Sequence, residues 1–418
     1  MEWNLLIAIK ATARGKLQGR VYKHTRVQKR KMSLLDHFKR KRPPQNSNES
    51  SGKKSRPTRL NPNKIVSFNA NGLASRLFNN MESIQEMLAN EDPDVVCIQE
   101  CKLAAHCDNP KAKRDDGHPR RRDRLSSGTK KQREETHRIN RALRYGKLCE
   151  YDIHWSLSDW KYAGTAILIK KDISVVSKKY SIPTTKPSSA SKHHKEGRVM
   201  IFEFEKFVMM NTYAPNNGWD EKSFDRRRNW DSCLLRAMES GFADSYNDKP
   251  IIWVGDLNVC KDDADASDIK FYRHGIYEYD KKYSVPIDPD DKGQPGCTRN
   301  EQKRFHNICM VGNLIDMYRI FHPIGSDVGS DTQWSWRGSP PRNFATARYY
   351  GKGMRIDYTL VDKRLVANVK RSEILGRGKD RHGFLGSDHC PILIALDWHS
   401  NNDSSSGNTL SGDGNTQD

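Results

Sequence analysis

No run of apolar residues in this chain approaches the length of a membrane span. The longest, such as Leu5 to Ile9 and Ile251 to Val254, are a handful of residues, against the roughly 20 that a spanning helix needs. The nine cysteines (97, 101, 107, 149, 233, 260, 297, 309 and 390) are odd in number and include no Cys-x-x-Cys pair. That argues against a disulfide framework or a cysteine zinc site, and for a reducing compartment. Acidic residues are nearly missing from positions 1–62, where 3 Asp/Glu stand against 17 Lys/Arg. Sustained periodicity is missing there too, so this segment reads as disordered when free.

The chain has 418 residues and a net charge of +20. Residues 103–147 hold 14 Lys/Arg against 6 Asp/Glu, and the tail from 399 onward carries only acidic charge. The remainder is nearly neutral, so the charge suited to a polyanionic partner sits on two appendages. The organisation expected is a basic tail over 1–62, one folded domain over 63–398 with a basic insertion at about 104–145, and a disordered tail over 399–418.

Several addresses overlap in the first segment. Residues 1–31 carry nine basic residues and one acid, Glu2, which fits a mitochondrial presequence and equally a solvated basic arm. The run Lys39-Arg40-Lys41-Arg42-Pro43-Pro44 fits nuclear import. Residues 32–38, Met32 to Phe38, weakly resemble a sliding-clamp binding peptide, without its usual Gln and double aromatic. A start at Met32 in place of Met1 would let one gene supply nucleus and mitochondrion.

From residue 63 short apolar runs alternate with polar turns, the pattern of an α/β domain. Strands are expected at Lys64 to Phe68, Val95 to Gln99, Thr165 to Ile169, Val199 to Phe204, Phe207 to Thr212, Ile251 to Val254, Asp357 to Val361 and Ile392 to Leu396. Met81, Ile84 and Leu88 fall at helical spacing before Asp92-Pro93, and a second helix is expected over Phe224 to Met238.

The polar clusters sit at the ends of these strands, where a sheet-built enzyme gathers its site. They are Asn69-Ala70-Asn71-Gly72, Glu100, Tyr213-Ala214-Pro215-Asn216, Gly255-Asp256-Leu257-Asn258, Arg355-Ile356-Asp357-Tyr358 and Gly386-Ser387-Asp388-His389-Cys390-Pro391. Taken singly, each has a structural explanation: a turn, a surface carboxylate, a bonded pair. Side chains alternate along a strand, so Asp388 and His389 can act together only from a bend before Ile392. It is the joint occurrence that points to a phosphate and metal site.

The ordered set resembles the endonuclease/exonuclease/phosphatase superfamily, and within it the exonuclease III type of class II AP endonuclease. Tyr162-Ala163-Gly164-Thr165 and Ile98-Gln99-Glu100-Cys101-Lys102 belong to the same resemblance, which covers about residues 63–398. It implies a four-layer α/β sandwich, two packed, mainly antiparallel sheets flanked by helices. It also implies an enzyme that hydrolyses DNA on the 5′ side of an abasic site and leaves a 3′-hydroxyl and a 5′-deoxyribose phosphate, with 3′-phosphodiesterase and 3′ to 5′ exonuclease as side activities. Mg²⁺, with Mn²⁺ as a substitute, would be held by Glu100 with Asn69, Asn71 and Asp388. Asp256 would act on the attacking water with Asn258; Tyr213, and His389 oriented by Asp357, would serve the phosphate. Asn216, Tyr162, Trp334, Trp336 and Met354 would contact substrate. The partner implied is double-stranded DNA bound by a monomer.

The chain departs from the family pattern at Asn71, where many eukaryotic relatives carry Asp, at Met354, where a Trp is frequent, and at Trp219, where some insert an Arg. A retroelement-type nicking endonuclease of the same fold and a non-catalytic DNA-binding module are the alternatives.

Overall fold

The computed structural model describes residues 58–109, 111, 113, 118–183, 193–275, 286–325, 333–340 and 347–398. The segments read as presequence, clamp peptide, nuclear import run and acidic tail lie outside these residues.

The first half of the domain supplies β1 (Lys64–Asn69), β2 (Val95–Gln99), β3 (Ala105–Cys107), β4 (Arg120–Leu125), β5 (Tyr151–Ser156), β6 (Thr165–Lys170), β7 (Ser177–Lys179), β8 (Val199–Glu203) and β9 (Val208–Tyr213). The second supplies β10 (Ile251–Asp256), β11 (Leu314–Asp316), β12 (Trp336–Arg337), β13 (Gly353–Met354), β14 (Asp357–Asp362), β15 (Val369–Ile374) and β16 (Ile392–Leu396). One six-stranded sheet runs β15-β16-β1-β2-β6-β5 and the other β11-β14-β10-β9-β8-β7. Within each, a single neighbouring pair is parallel and the rest are antiparallel.

The two sheets pack face to face because their central strands are apolar on both faces, as strands buried from both sides must be. Ile65, Cys97, Ile167 and Ile394 of one sheet meet Met200, Phe202, Met209, Ile252 and Val254 of the other in one buried layer. The opposite face of the second sheet, with Ile201, Met210, Trp253 and Leu360, is buried under Trp230, Leu234, Phe242, Phe305 and Ile308. These come from α4 (Glu221–Arg236), α5 (Phe242–Tyr246) and α6 (Arg299–Val311). Earlier in the chain lie α1 (Leu73–Asn79), α2 (Met81–Glu91) and α3 (Lys130–Ala142); α7 (Met317–Phe321) follows β11. The fold is thus the expected sandwich of sheets and helices.

Local signals set the helix limits. Asp220 accepts from the Ser223 amide at 2.8 Å and Thr298 forms a reciprocal cap with Glu301, so α4 and α6 begin there. Asp92, at φ 43, closes α2 just before Pro93. Residues 104–145 are not a featureless insertion: β3 and β4 pair as a hairpin and α3 follows. All nine cysteines are unpaired, and no helix among the described residues is long and apolar enough to cross a membrane.

Candidate active site

Parallel partners end on the same edge of a sheet, and the parallel pairs here are β1 with β2 and β9 with β10. Register sets Asn69 beside Gln99, with Glu100 next in the chain, and sets Asp256 beside Tyr213. β14 runs antiparallel to β10, so its first residue, Asp357, lies opposite Asp256. β16 runs antiparallel to β1, and the Asp388-His389 bend that feeds it returns to the same edge. Topology alone gathers the polar ends of distant segments.

Hydrogen bonds fix them there. The Asn69 side-chain amide donates to Glu100 Oε1 at 3.0 Å and to Asp256 Oδ2 at 2.7 Å, which joins the two sheets across the site. The Asn258 backbone amide donates to Asp256 Oδ1 at 2.9 Å, and the Asn258 side-chain amide to the Ala214 carbonyl at 2.9 Å. His389 Nδ1 lies 2.8 Å from Asp357 Oδ2, whose other partner is the Ser335 hydroxyl at 2.7 Å. Nε2 of the same imidazole looks toward Asp256 Oδ2 at 3.9 Å. Ser387 Oγ donates to the Asn69 carbonyl at 2.8 Å and holds the bend against β1.

Three carboxylates around one buried imidazole decide its charge. Burial alone would depress His389, but Asp357, Asp256 and Asp388 outweigh it and raise it to about 10, so it is an imidazolium at neutral pH. Burial, together with Asp357 and Glu100 and against the pull of His389, pushes Asp256 up to about 7. Burial and two neighbouring carboxylates, Glu100 and Asp256, keep the Tyr213 phenol protonated, its value well above normal. One acceptor and two donors therefore face the same space.

The backbone carries strain at the same place. Asn71, Glu100, Lys102 and Asn258 all have positive φ, at 43°, 47°, 50° and 49°, a region that costs a non-glycine residue energy and concentrates at functional sites. Gly255 has φ 141°, and a Cβ there would come within 2.0 Å of the Thr212 carbonyl, so no other residue fits between β9 and Asp256.

The structure brings together Asn69, Glu100, Tyr213, Asp256, Asn258, Asp357 and His389. Asn71 and Asp388 form an adjoining pair, Asn71 Nδ2 donating to Asp388 Oδ1 at 2.7 Å and Trp336 Nε1 to Asp388 Oδ2 at 3.1 Å. Burial opposes charge on Asp388, but His389, Asn71 and Trp336 hold its carboxyl below the usual range. Trp336 joins Met354, Cys260, Cys297 and Trp219 in an apolar cluster beside the site. Trp334 is buried, and Gly353 has no room for a Cβ against its ring. Asn216 is exposed, its side-chain oxygen accepting from the Gly218 amide at 2.9 Å.

Three residues at the site were not foreseen. Lys102 Nζ lies 2.7 Å from Glu100 Oε2 and also donates to Asn71 Oδ1. Arg198 is buried beneath the Tyr213 ring at 4.6 Å and donates to the Tyr213 carbonyl and to the Tyr162 hydroxyl. Ser335 buttresses Asp357. Nothing in the sequence pairs Lys102 with Asn71, Arg198 with Tyr162 or Ser335 with Asp357 so far along the chain, although Glu100 stands only two residues from Lys102.

One ligand atom each from Glu100, Asp256 and His389 lies within 4.8 Å of the other two. An imidazolium repels a cation, which leaves Glu100, with the neighbouring Asn71 and Asp388 oxygens, as the donors beside Asp256, hard oxygens suited to a hard divalent ion. The Lys102 ammonium resting on Glu100 and Asn71 is a positive group already accommodated at this place, so the donor set fits such an ion.

The sequence pattern described as the Endonuclease/Exonuclease/phosphatase family matches residues 66–389. A DNA-(apurinic or apyrimidinic site) endonuclease of Arabidopsis thaliana is 38% identical over 338 residues, 80% of this chain and 85% of the relative. One of Plasmodium falciparum is 32% identical over 357 residues, 79% of this chain and 54% of its own length. An exodeoxyribonuclease of Bacillus subtilis is 26% identical over 336 residues, 80% of this chain and 99% of the relative. Among solved structures, the AP endonuclease LMAP of Leishmania major superposes with a TM-score of 0.54 at 19% identity, over 80% of this chain and 87% of that one, a likeness of fold.

Proposed function

We propose, for a chain that belongs to the endonuclease/exonuclease/phosphatase family as a nuclease of its AP endonuclease and exonuclease type, that it is a Mg²⁺-dependent repair enzyme. It would cut DNA on the 5′ side of an abasic site during base excision repair. The observation that carries this reading is the convergence of Glu100, Asp256 and the Asp357–His389 pair from both sheets within one hydrogen-bonded cluster.

Asp256, held by Asn69 and Asn258, accepts a proton from the attacking water. The geometry of those two amides leaves it one productive orientation. His389, kept charged by Asp357, donates from Nε2 to a phosphate oxygen, and the Tyr213 hydroxyl donates as negative charge builds in the transition state. Glu100, supported by Asn69 with Asn71 and Asp388 adjoining, is the main candidate to hold Mg²⁺. When bound, the ion would neutralise phosphate charge and stabilise the leaving 3′ oxygen. Trp336 and Met354, with Trp334 packed on Gly353, would form an apolar side suited to a sugar without its base, and Tyr162 and Asn216 would contact the DNA beyond it.

A duplex with one tetrahydrofuran abasic analogue tests this reading. Incision should occur with Mg²⁺ and stop with EDTA, whereas an intact strand under both conditions sinks it. Glu100→Ala should lose activity and regain part of it as Mg²⁺ is raised, and Asp256→Ala should not respond. Equal insensitivity of both variants removes the metal role of Glu100.

A further inference from the structure

We propose that the outer face of α3 is a second DNA-binding surface, which grips the phosphate backbone of duplex flanking the site. The inference rests on the reading of the protein as a DNA nuclease and names a part of its substrate interface.

The helix has two distinct faces. Ile139 and Ala142 are buried, and Gln132 and Thr136 are partly covered on the same side. On the opposite side Lys130, Arg133, His137 and Arg141 follow at spacings of three or four, and Arg144 continues the line past the helix end; all are exposed. Glu134 is the one acid on that face. A 13-residue helix is about 20 Å long, enough to run beside about six phosphates of one DNA strand. A solvated helix would gain by alternating its charges along the exposed face; this one keeps the face almost wholly basic.

The helix is also fixed rather than tethered. Thr129 and Gln132 cap its start reciprocally. The Arg138 guanidinium lies 3.9 Å over the Phe78 ring of α1, and α1 begins directly after Asn71-Gly72 of the site. On the same side, one turn earlier, Glu135 pairs with Lys161 at 2.6 Å. Lys161 belongs to the loop whose Ala163 and Gly164 carbonyls accept from the Lys102 and Cys101 amides at 2.9 Å, next to Glu100. Trp160, 57% exposed, and Tyr162 stand on that loop. The hairpin beside it is anchored through Arg122, which meets Asp159 at 2.6 Å and the Leu157 carbonyl at 2.9 Å. The basic face is thus held by two elements that lead directly into the site.

The test uses the full chain and an undamaged duplex in EDTA, so no incision is needed for the readout. A variant combining Lys130→Gln, Arg141→Gln and Arg144→Gln keeps helix-forming side chains and leaves in place Arg133, whose guanidinium also donates to the Ser127 and Gly128 carbonyls at the helix start. With each lost phosphate contact worth about 0.9 in the slope of log affinity against log salt, the slope should become shallower by about 3 while the melting temperature holds. Incision of an abasic duplex at saturating enzyme should keep its rate. An unchanged slope overturns the inference even if the enzyme cuts abasic DNA, and leaves the face to a protein partner. A wild-type chain that cuts no abasic duplex but still shows the slope difference would sink the proposed function and leave this surface standing.

Discussion

Asp256→Asn lowers the single-turnover rate on an abasic duplex by about 10³-fold, roughly 4 kcal/mol of barrier, and leaves the protein folded. Asn has the shape of Asp but accepts no proton. Its side-chain oxygen can still take the Asn258 amide bond, while its NH₂ group would oppose the Asn69 amide, which donates to Asp256 Oδ2 in the wild type. That conflict costs about one hydrogen bond, of order 1 kcal/mol. The structural cost is therefore small beside the catalytic one. Activity within tenfold of wild type, with an unchanged melting temperature, would contradict the role given to Asp256.

The largest effect on stability should come from Arg355→Met, about 3–5 kcal/mol, read as a fall in the urea midpoint. Arg355 is fully buried and pairs with Asp265 at 2.8 Å and Asp316 at 2.7 Å, each carboxylate receiving two guanidinium bonds. Its guanidinium also stacks 4.6 Å over the Tyr358 ring. Removing the cation strands both carboxylates in the core, with Arg319 as the remaining cation beside one of them, Asp265. Arg355→Lys should fail nearly as badly, because a point charge on a flexible stem cannot bridge two carboxylates as a planar fork does.

The pH dependence follows from Asp265. Burial opposes its charge, but Arg355 and Arg319 outweigh burial and hold its carboxyl below the ordinary value. A depressed acid contributes stability that is complete above the unfolded value of about 4 and is lost as pH falls through the lower folded value. Wild type should lose this contribution below about pH 4, whereas Arg355→Met should already lack much of it at neutral pH. A variant as stable as wild type would show that the network is not what holds the start of β14 in place.

The strand ends were legible because a polar residue directly after an apolar run has few cheap explanations. Asn69, Glu100, Tyr213, Asp256, Asp357 and the Asp388-His389 bend were all found in that way, and the strand limits moved by only a residue or two. Asp256 itself closes β10 rather than following it. Edge strands were missed because their patterns are mixed: β15 alternates buried and half-covered residues, and β7 has only three. The hairpin and helix of residues 104–145 were hidden by charge, since their apolar faces are as small as Ile139 and Ala142. Arg198 and Ser335 act through partners brought near by folding, and a linear sequence has no mark for that.

The sequence placed Glu100 with Asn69, Asn71 and Asp388 around a metal. In the structure Glu100 is bonded by Asn69 and stands within 4.8 Å of Asp256 and His389, with Asn71 and Asp388 paired alongside. Glu100 and Asp256, the carboxylates proposed to hold the metal and to activate the water, share one hydrogen-bond donor, Asn69.

The most direct test of the account is the chemistry of the ends. Incision of the tetrahydrofuran duplex in ¹⁸O-labelled water should give a 3′-hydroxyl that a polymerase extends at once, and a 5′-phosphate on the sugar fragment carrying one ¹⁸O by mass spectrometry. A 3′-phosphate that blocks extension, or a 5′-phosphate without the label, would contradict hydrolysis at this site by the Asp256-activated water.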